Sequence, residues 1–144
     1  MHSYSVELRI ISHKEQLDLE AITKNLGIVS NNTRQIGEYR SKTSTWDESM
    51  WGYSVYPEYG DNNWDNMENA LGSLLKLFMP LKEKIAEYGK IYHVVIWSGH
   101  FTSGFDGGPI FSPRLLKDLG EFGVELFIDT YCSEDPMSTQ DDEG

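Results

Sequence analysis

The stretch from Trp64 to Ala86 is the feature that most constrains the fold of this chain. Its apolar residues recur at steps of three and four positions, the spacing of an amphipathic helix. They are Trp64, Met67, Leu71, Leu74, Phe78, Leu81 and Ile85. We expect an oxygen of Asp61, Asn62 or Asn63 to cap the first turn and Gly89 to end the last. Pro80 predicts a kink or a division into two helices.

Period-two alternation predicts the strands that cover this helix. Tyr4 to Ile10 alternates apolar and polar side chains, and Trp51 to Tyr56 does so with aromatic residues. Lys90 to Ser98 is apolar on both faces and is expected to be central. Val124 to Tyr131 predicts the last strand, and Gln35 to Tyr39 a weak one.

Two shorter helices complete the predicted elements. The first spans Gln16 to Leu26, and the second begins at Ser112 and Pro113 and ends before Gly123. Together the elements predict an α+β fold in a single domain, residues 1–132. The expected sheet is antiparallel or mixed, with four to five strands, and the one long and two shorter helices pack mainly on one face. Residues 133–144 are expected to form an acidic, flexible tail.

Charge excludes several classes of partner. The 144 residues carry 12 basic and 23 acidic side chains, a net charge of −11. Nucleic acids and anionic membranes bind clustered Lys and Arg, so neither is expected as a partner. The single cysteine, Cys132, fits a reducing compartment, and no signal-like or membrane-spanning run is visible, so the expected location is the cytoplasm.

No motif indicates catalysis, a metal or a cofactor, and none is predicted. His93 and His100 have no metal-site spacing, and we expect His93 to pack within the fold. Acidic neighbours of Cys132 disfavour its thiolate. The glycine-rich stretch Gly99 to Gly108 is expected to be a loop, because it lacks the Lys and Ser or Thr of a nucleotide-binding loop.

An acidic and aromatic segment is the strongest candidate for a binding surface. No Lys or Arg lies between Lys42 and Lys76, while six acids fall there. Aromatic anchors surrounded by carboxylates are typical of an interface for a basic protein. The predicted partner-binding residues are Trp46, Asp47, Glu48, Trp51, Tyr56, Glu58, Tyr59, Asp61, Asp65 and Glu68.

Several short motifs resemble those of the domain of unknown function 4279 family. They include Leu26-Gly27-Ile28, Thr33-Arg34 with Gly37, Trp51, Leu74-Leu75 before Pro80-Leu81, and the closing run Leu126 to Tyr131. Members of this family are small bacterial α+β proteins, and some resemble immunity proteins of contact-dependent or polymorphic toxin systems. The resemblance implies no catalytic residues. Together with the acidic balance, the acidic aromatic segment and the absence of catalytic motifs, it predicts a non-enzymatic immunity protein that neutralises a cognate toxin domain, expected to be basic, such as a nuclease.

A second interpretation stays open at this stage. A small-molecule-binding or regulatory module would have its pocket near the Gly99 to Gly108 loop, lined by Trp97, His100 and Phe105. A hydrolase that uses His100 and a nearby carboxylate is the third and least supported alternative.

Overall fold

The predicted long helix is divided at Pro80. In the computed structural model, which describes residues 2–60, 62–104 and 107–133, helix α2 spans Met67–Phe78, a 3-10 turn spans Met79–Leu81, and helix α3 spans Lys82–Gly89. These three pieces form one helical segment of 23 residues. Proline cannot donate the hydrogen bond that a continuous helix needs at this position, so the helix tightens there.

The start of this helix differs from the prediction. Asn66 is the cap, and its side-chain oxygen accepts a hydrogen bond from the Asn69 N–H at 3.1 Å. Trp64 is not helical: its backbone pairs with that of Tyr4 through N–H···O bonds of 2.7 and 2.9 Å. Its indole N–H donates to the Val55 carbonyl at 2.9 Å. Asn62 and Asn63 lie before this bridge and cap no helix, and Asp61 lies outside the described residues.

Five strands form one mixed sheet, and four of them lie at the predicted segments. They are β1 (His2–Ser12), β2 (Asn32–Arg34), β3 (Ser49–Val55), β4 (His93–Thr102) and β5 (Glu125–Cys132), in the spatial order β2-β3-β1-β4-β5. All neighbours are antiparallel except β4 and β5. Helix α4 (Pro113–Phe122) connects that parallel pair, and Ser112 caps it as predicted.

The helices cover one face of the sheet, which confirms the predicted layering. Strand β1 contributes Tyr4, Val6, Leu8 and Ile10 to the main core. The facing residues come from α1 (Leu19–Leu26), α2, α3 and α4, and they include Ile22, Leu26, Leu71, Leu74, Phe78, Ile85, Leu115 and Phe122. The opposite face of the sheet carries no helix among the described elements, and it is called the open face below.

Three predictions about local structure are wrong. Strand β4 continues through Gly99 and His100, so the glycine-rich stretch is not a loop from its first residue. The weak strand lies at β2 instead of Gln35 to Tyr39. His93 is not packed inside; its side chain is 44% exposed and lies 3.0 Å from the Glu125 carboxylate.

Candidate functional site

Strand register determines which side chains project from the open face. Even-numbered residues of β1 enter the core, so its odd-numbered residues Glu7 and Arg9 project from the other side. Glu7 lies opposite Ser54 of β3 and Trp97 of β4, and Trp97 lies opposite Phe127 of β5. The next rows outward add Asp129, Phe101 and Tyr131. Charged and aromatic residues from three strands therefore share one surface with Ser54 of β3.

A buried carboxylate lies at the centre of the open face. The Glu7 side chain is 2% exposed, and its Oε1 accepts a hydrogen bond from Arg9 Nε at 2.5 Å. Its Oε2 accepts from Asn32 Nδ2 at 2.7 Å and from Ser54 Oγ at 2.8 Å. A buried charge is tolerated only when it is paired and hydrogen-bonded, and Glu7 meets both conditions.

Gly52 allows this cluster to form. A Cβ atom at Gly52 would lie 2.9 Å from the Asn32 carbonyl oxygen and 3.3 Å from Glu7 Cδ. Only a residue without a side chain lets β2 and the Glu7 carboxylate approach so closely.

The aromatic part of the open face is fixed by polar contacts. The Arg9 guanidinium lies 4.5 Å from the centroid of the Trp97 ring, a cation–π arrangement. The Trp97 indole N–H donates to Asp129 Oδ2 at 3.2 Å, and the Tyr131 hydroxyl donates to the same oxygen at 2.5 Å. The Tyr131 ring stacks on Phe101 at 5.1 Å. These contacts hold the Trp97, Phe101 and Tyr131 rings in place, and the neighbouring Phe127 and Tyr131 are 53% and 46% exposed.

The hydrogen bond to Asp129 also affects the Tyr131 hydroxyl. That bond, followed by partial burial, raises the pKa of Tyr131 above its ordinary value. The neutral hydroxyl donates to the carboxylate, whereas a phenolate beside it would be repelled, so the protonated form is favoured.

A pocket of about 590 Å³ opens at one end of this face. Its apolar floor includes Ile11, Val95, Trp97 and Phe127. Its rim carries two histidine–glutamate pairs: His93 Nε2 lies 3.0 Å from Glu125, and His13 Nδ1 lies 3.8 Å from Glu48. The two imidazole rings stack at 5.9 Å.

Arginine side chains cover the predicted aromatic anchor Trp46. Arg34 and Arg40 lie 4.2 and 5.0 Å from the centroid of its ring, and Arg34 also forms an ion pair with Glu48 at 3.3 Å. Burial is the largest influence on the pKa of Arg34 and lowers it, while Glu48 opposes the shift. The Nε of Arg34 is buried, with no hydrogen-bond partner in the described part of the chain. Trp46 is therefore half-buried by its own chain.

The other predicted partner-binding residues do not form one patch. Trp46, Asp47 and Glu48 precede β3, whereas Tyr56, Glu58, Tyr59 and Asp65 follow it. A seven-residue strand separates the two groups by roughly 20 Å. The second group is exposed, with Tyr56 at 50% and Tyr59 at 83%. Asp61 lies outside the described residues.

Two predicted partner-binding residues serve the fold instead. Trp51 is completely buried, and its indole N–H donates to Thr23 Oγ1 at 2.9 Å. Its inclusion in the surface is wrong, because the alternation of β3 directs it towards the helices. Glu68 is half-buried, and its carboxylate accepts the Ser112 N–H at 2.6 Å, which joins the start of α4 to α2.

Two of the residues predicted to line a small-molecule pocket, Trp97 and His100, do not share a surface in the described part of the chain. Trp97 and His100 are three positions apart in β4, so they project to opposite faces. His100 is 5% exposed, stacks on Tyr4 at 4.9 Å and lies 2.9 Å from His2. Burial, followed by the charge of His2, lowers the pKa of His100. Phe105 lies outside the described residues.

Sequence reasoning named Trp97 only as part of a different pocket, and it missed the other residues that dominate the open face, which are Glu7, Arg9, Phe127, Asp129 and Tyr131. The signal was present in the alternation of β1 and β5, because each strand carries a second set of side chains opposite its core set. The alternation was used only to predict the strands, and this second set was not considered as a binding surface.

Neither a metal site nor a membrane span is visible in the described ranges. Across residues 2–60, 62–104 and 107–133, no three His, Cys, Asp or Glu side chains are grouped so that they would hold a metal ion. None of the helices within those ranges combines the length and apolarity required to cross a bilayer.

Comparison with known proteins places the chain in a family. No curated protein and no solved structure is significantly similar to it. The family described as Domain of unknown function (DUF4279) matches residues 2–133, nearly the whole length. The fold, with its mixed sheet and one-sided helices, agrees with the α+β architecture that the resemblance implies. The chain belongs to the DUF4279 family.

Proposed function

We propose that this chain is a non-enzymatic immunity protein that binds and neutralises a basic toxin domain through the open face of its sheet. One observation carries the proposal: the uncovered face presents exposed aromatic side chains, held in fixed positions, on a chain of net charge −11. We infer a toxin as the partner because some members of this family resemble immunity proteins.

The aromatic residues supply binding area at low entropic cost. Arg9 and Asp129 hold the Trp97 ring, and Asp129 and Phe101 hold Tyr131. Immobilising a side chain on binding costs about 0.5–1.5 kcal/mol, and side chains that are already fixed avoid much of this cost. Aromatic residues in such positions frequently dominate the binding energy of an interface.

The size of the open face is suitable for a protein partner. Five strands spaced about 4.8 Å apart and roughly 25 Å long offer on the order of 500–600 Å² of flat area. A standard interface buries about 800 Å² on each partner. Tyr56, which directly follows β3 and is 50% exposed, can add to this area.

Charge determines the chemistry of the partner. Acidic side chains outnumber basic ones by 23 to 12. On the open face the Arg9 charge is paired with Glu7, whereas Glu125 is 72% exposed at the rim. A negative field accelerates association with a positive partner, and the gain declines as salt increases. A basic toxin domain is therefore expected to bind quickly and in a salt-sensitive manner.

The experiment is a capture assay with products of the reading frames that flank this gene, followed by calorimetric titration of the captured partner. The double variant Phe127→Ala and Tyr131→Ala is expected to weaken binding at least 100-fold. Leu116→Ala is the matched control, since Leu116 on α4 is 53% exposed, as Phe127 is, but lies on the helical side. Equal affinities for the double variant and the control would refute the open face as the contact surface.

A second candidate function is small-molecule binding in the open-face pocket. Its volume of about 590 Å³ falls in the range of ligand sites, roughly 300–1,000 Å³, and its floor is apolar with polar groups at the rim. A ligand present at 100 times its Kd would stabilise the protein by about 2.7 kcal/mol. A thermal-shift screen with metabolites tests this, and Val95→Trp, which fills the floor, should abolish any shift.

A further inference from the structure

Strand β5 is an open edge of the sheet. It has eight residues and, within the described ranges, pairs only with β4. The opposite edge, β2, has only three residues and offers little backbone to a partner. Because alternate backbone N–H and C=O groups of an edge strand point away from its neighbour, β5 presents a row of them.

Three of the usual protections of an edge are missing from β5, and the charged residues that it does carry, Glu125 and Asp129, are acidic. Native edges carry lysine, proline or a bulge that discourages pairing. Strand β5 contains neither lysine nor proline, and its register with β4 is uninterrupted from Val95 opposite Glu125 to Thr102 opposite Cys132. An added strand would lie about 4.8 Å away and would extend the sheet and the open face together.

Charge decides which strand fits this edge. Residues 118–144 contain no Lys or Arg and nine acids, namely Asp118, Glu121, Glu125, Asp129, Glu134, Asp135, Asp141, Asp142 and Glu143. Two copies of β5 paired with each other would bring Glu125 and Asp129 of both chains together, and like charges across a strand pair are destabilising. A strand with Lys or Arg on its open-face side meets the opposite charge and contacts Phe127 and Tyr131 as well.

We propose that the β5 edge binds an extended, Lys- or Arg-bearing segment of the partner as a sixth strand. This deepens the proposed function, on which the identity of the partner as a toxin rests, but the edge can be tested without the toxin. Main-chain hydrogen bonds would supply affinity, and alternate side chains would supply specificity.

The test uses a synthetic array of eight-residue peptides with Lys or Arg at alternate positions and Val, Ile, Thr or Tyr between them. Binding to the full-length protein is measured by fluorescence anisotropy at low salt. We expect array members to bind, and we expect the same peptides with Glu in place of Lys or Arg to bind at least tenfold more weakly. Absence of binding by every basic member would overturn the proposal.

Backbone methylation separates strand addition from charge attraction. Each bound peptide is made in two N-methylated forms, one blocking the even amides and one the odd amides. One form should lose affinity at least tenfold, because an added strand forms hydrogen bonds to the edge through only one of these two sets of amides. Equal affinity of both forms and the parent peptide would overturn the proposal.

Two protein variants locate the site. Glu125→Lys is expected to weaken peptide binding about fivefold, the effect of exchanging one exposed attraction for a repulsion. Glu121→Lys is the matched control: it makes the same charge change on α4, away from the edge.

The results also distinguish the added strand from the proposed function. A toxin that binds the open face while all basic peptides fail would refute the added strand alone. Peptide binding without any toxin partner would refute the immunity function alone.

Discussion

Replacing Glu7 by glutamine tests the polar cluster at the centre of the open face. The two carboxylate oxygens accept three hydrogen bonds, from Arg9 on one side and from Asn32 and Ser54 on the other. Glutamine keeps one oxygen and replaces the other with an NH₂ donor. In either orientation a donor therefore faces a donor, either Arg9 or Asn32, and at least one hydrogen bond is lost.

The expected loss of stability follows from these contacts. A hydrogen bond to a charged group contributes about 1.5–3 kcal/mol and a neutral one about 0.5–1.5 kcal/mol. Breaking a fully buried ion pair costs about 3–5 kcal/mol, but Arg9 is 20% exposed and keeps some hydration. We expect Glu7→Gln to lower the free energy of unfolding by about 2–3 kcal/mol. The unfolding entropy is about 2.1 cal/mol/K per residue, so this loss of stability corresponds to a decrease of about 7–10 °C in Tm.

Urea denaturation followed by tryptophan fluorescence, together with thermal unfolding, measures this effect. Glu87→Gln is the control, because it makes the same chemical change at a surface ion pair with Lys90 that is 71% and 69% exposed. Such a pair contributes less than about 1 kcal/mol. A Glu7→Gln protein within about 0.5 kcal/mol of the control would refute the account of the cluster.

Three further predictions concern pH and the aromatic surface. The lowered pKa of His100 favours its neutral form in the fold, whereas in the unfolded state this histidine binds a proton once the pH drops below its ordinary pKa of about 6.5. As the pH is decreased from about 6.5 to the lowered pKa, the free energy of unfolding should therefore decrease by at most about 1.4 kcal/mol per pH unit. Asp129→Asn should lower the raised pKa of Tyr131 towards its ordinary value in an NMR titration of the ring. Gly99→Ala should weaken partner binding at least tenfold in calorimetry, because its Cβ would lie 2.6 Å from the Trp97 ring and displace it.

Each of these predictions has a distinct control or contradicting result. His100→Gln should flatten the pH dependence of urea denaturation near pH 6.5, and an unchanged slope would contradict the assignment. An unaltered Tyr131 titration in Asp129→Asn would show that the hydrogen bond does not raise the pKa. Gly72→Ala is the control for Gly99→Ala, since its Cβ would meet no atom within 4 Å; equal affinity of both variants would contradict the role of the rings.

Local signals predicted the helical elements because the causes of those elements are local. Ser112 and Pro113 start α4, and Gly27 ends α1 in the left-handed conformation at φ 74°. Pro80 divides the long helical segment, as a residue without a backbone N–H must. Each of these features depends on residues within one or two turns, and the sequence displays them directly.

The errors in the sheet have a long-range cause. Gly99 looked like the end of a strand, yet β4 continues because it pairs there with Ser5 of β1 and Asp129 of β5. Glu7 looked solvated, yet it is buried because β2 and β3 bring Asn32 and Ser54 to it from 25 and 47 positions away. Whether such a side chain is buried depends on which strands pair with its own. The alternation of a single strand does not reveal which strands those are.

Trp51 shows the same difficulty within the predicted surface. Composition placed it among the acidic aromatic residues, but its position in β3 directs it to the core and to Thr23 of α1. The exposed part of that segment lies at two separate ends of β3. The open face, in contrast, draws on residues from β1, β4 and β5, and neighbours such as Glu7 and Trp97 lie 90 positions apart in the sequence and meet only in the sheet.

Radical footprinting of aromatic and aliphatic side chains in the complex with the captured partner tests the central claim most directly. The account predicts that the oxidation of Phe127 and Tyr131 falls several-fold on binding. Leu116 and Tyr39, which are 53% and 78% exposed elsewhere on the protein, should be oxidised as in the free protein. Unchanged oxidation of Phe127 and Tyr131, with protection of Leu116 on α4, would place the partner on the helical side and contradict the account.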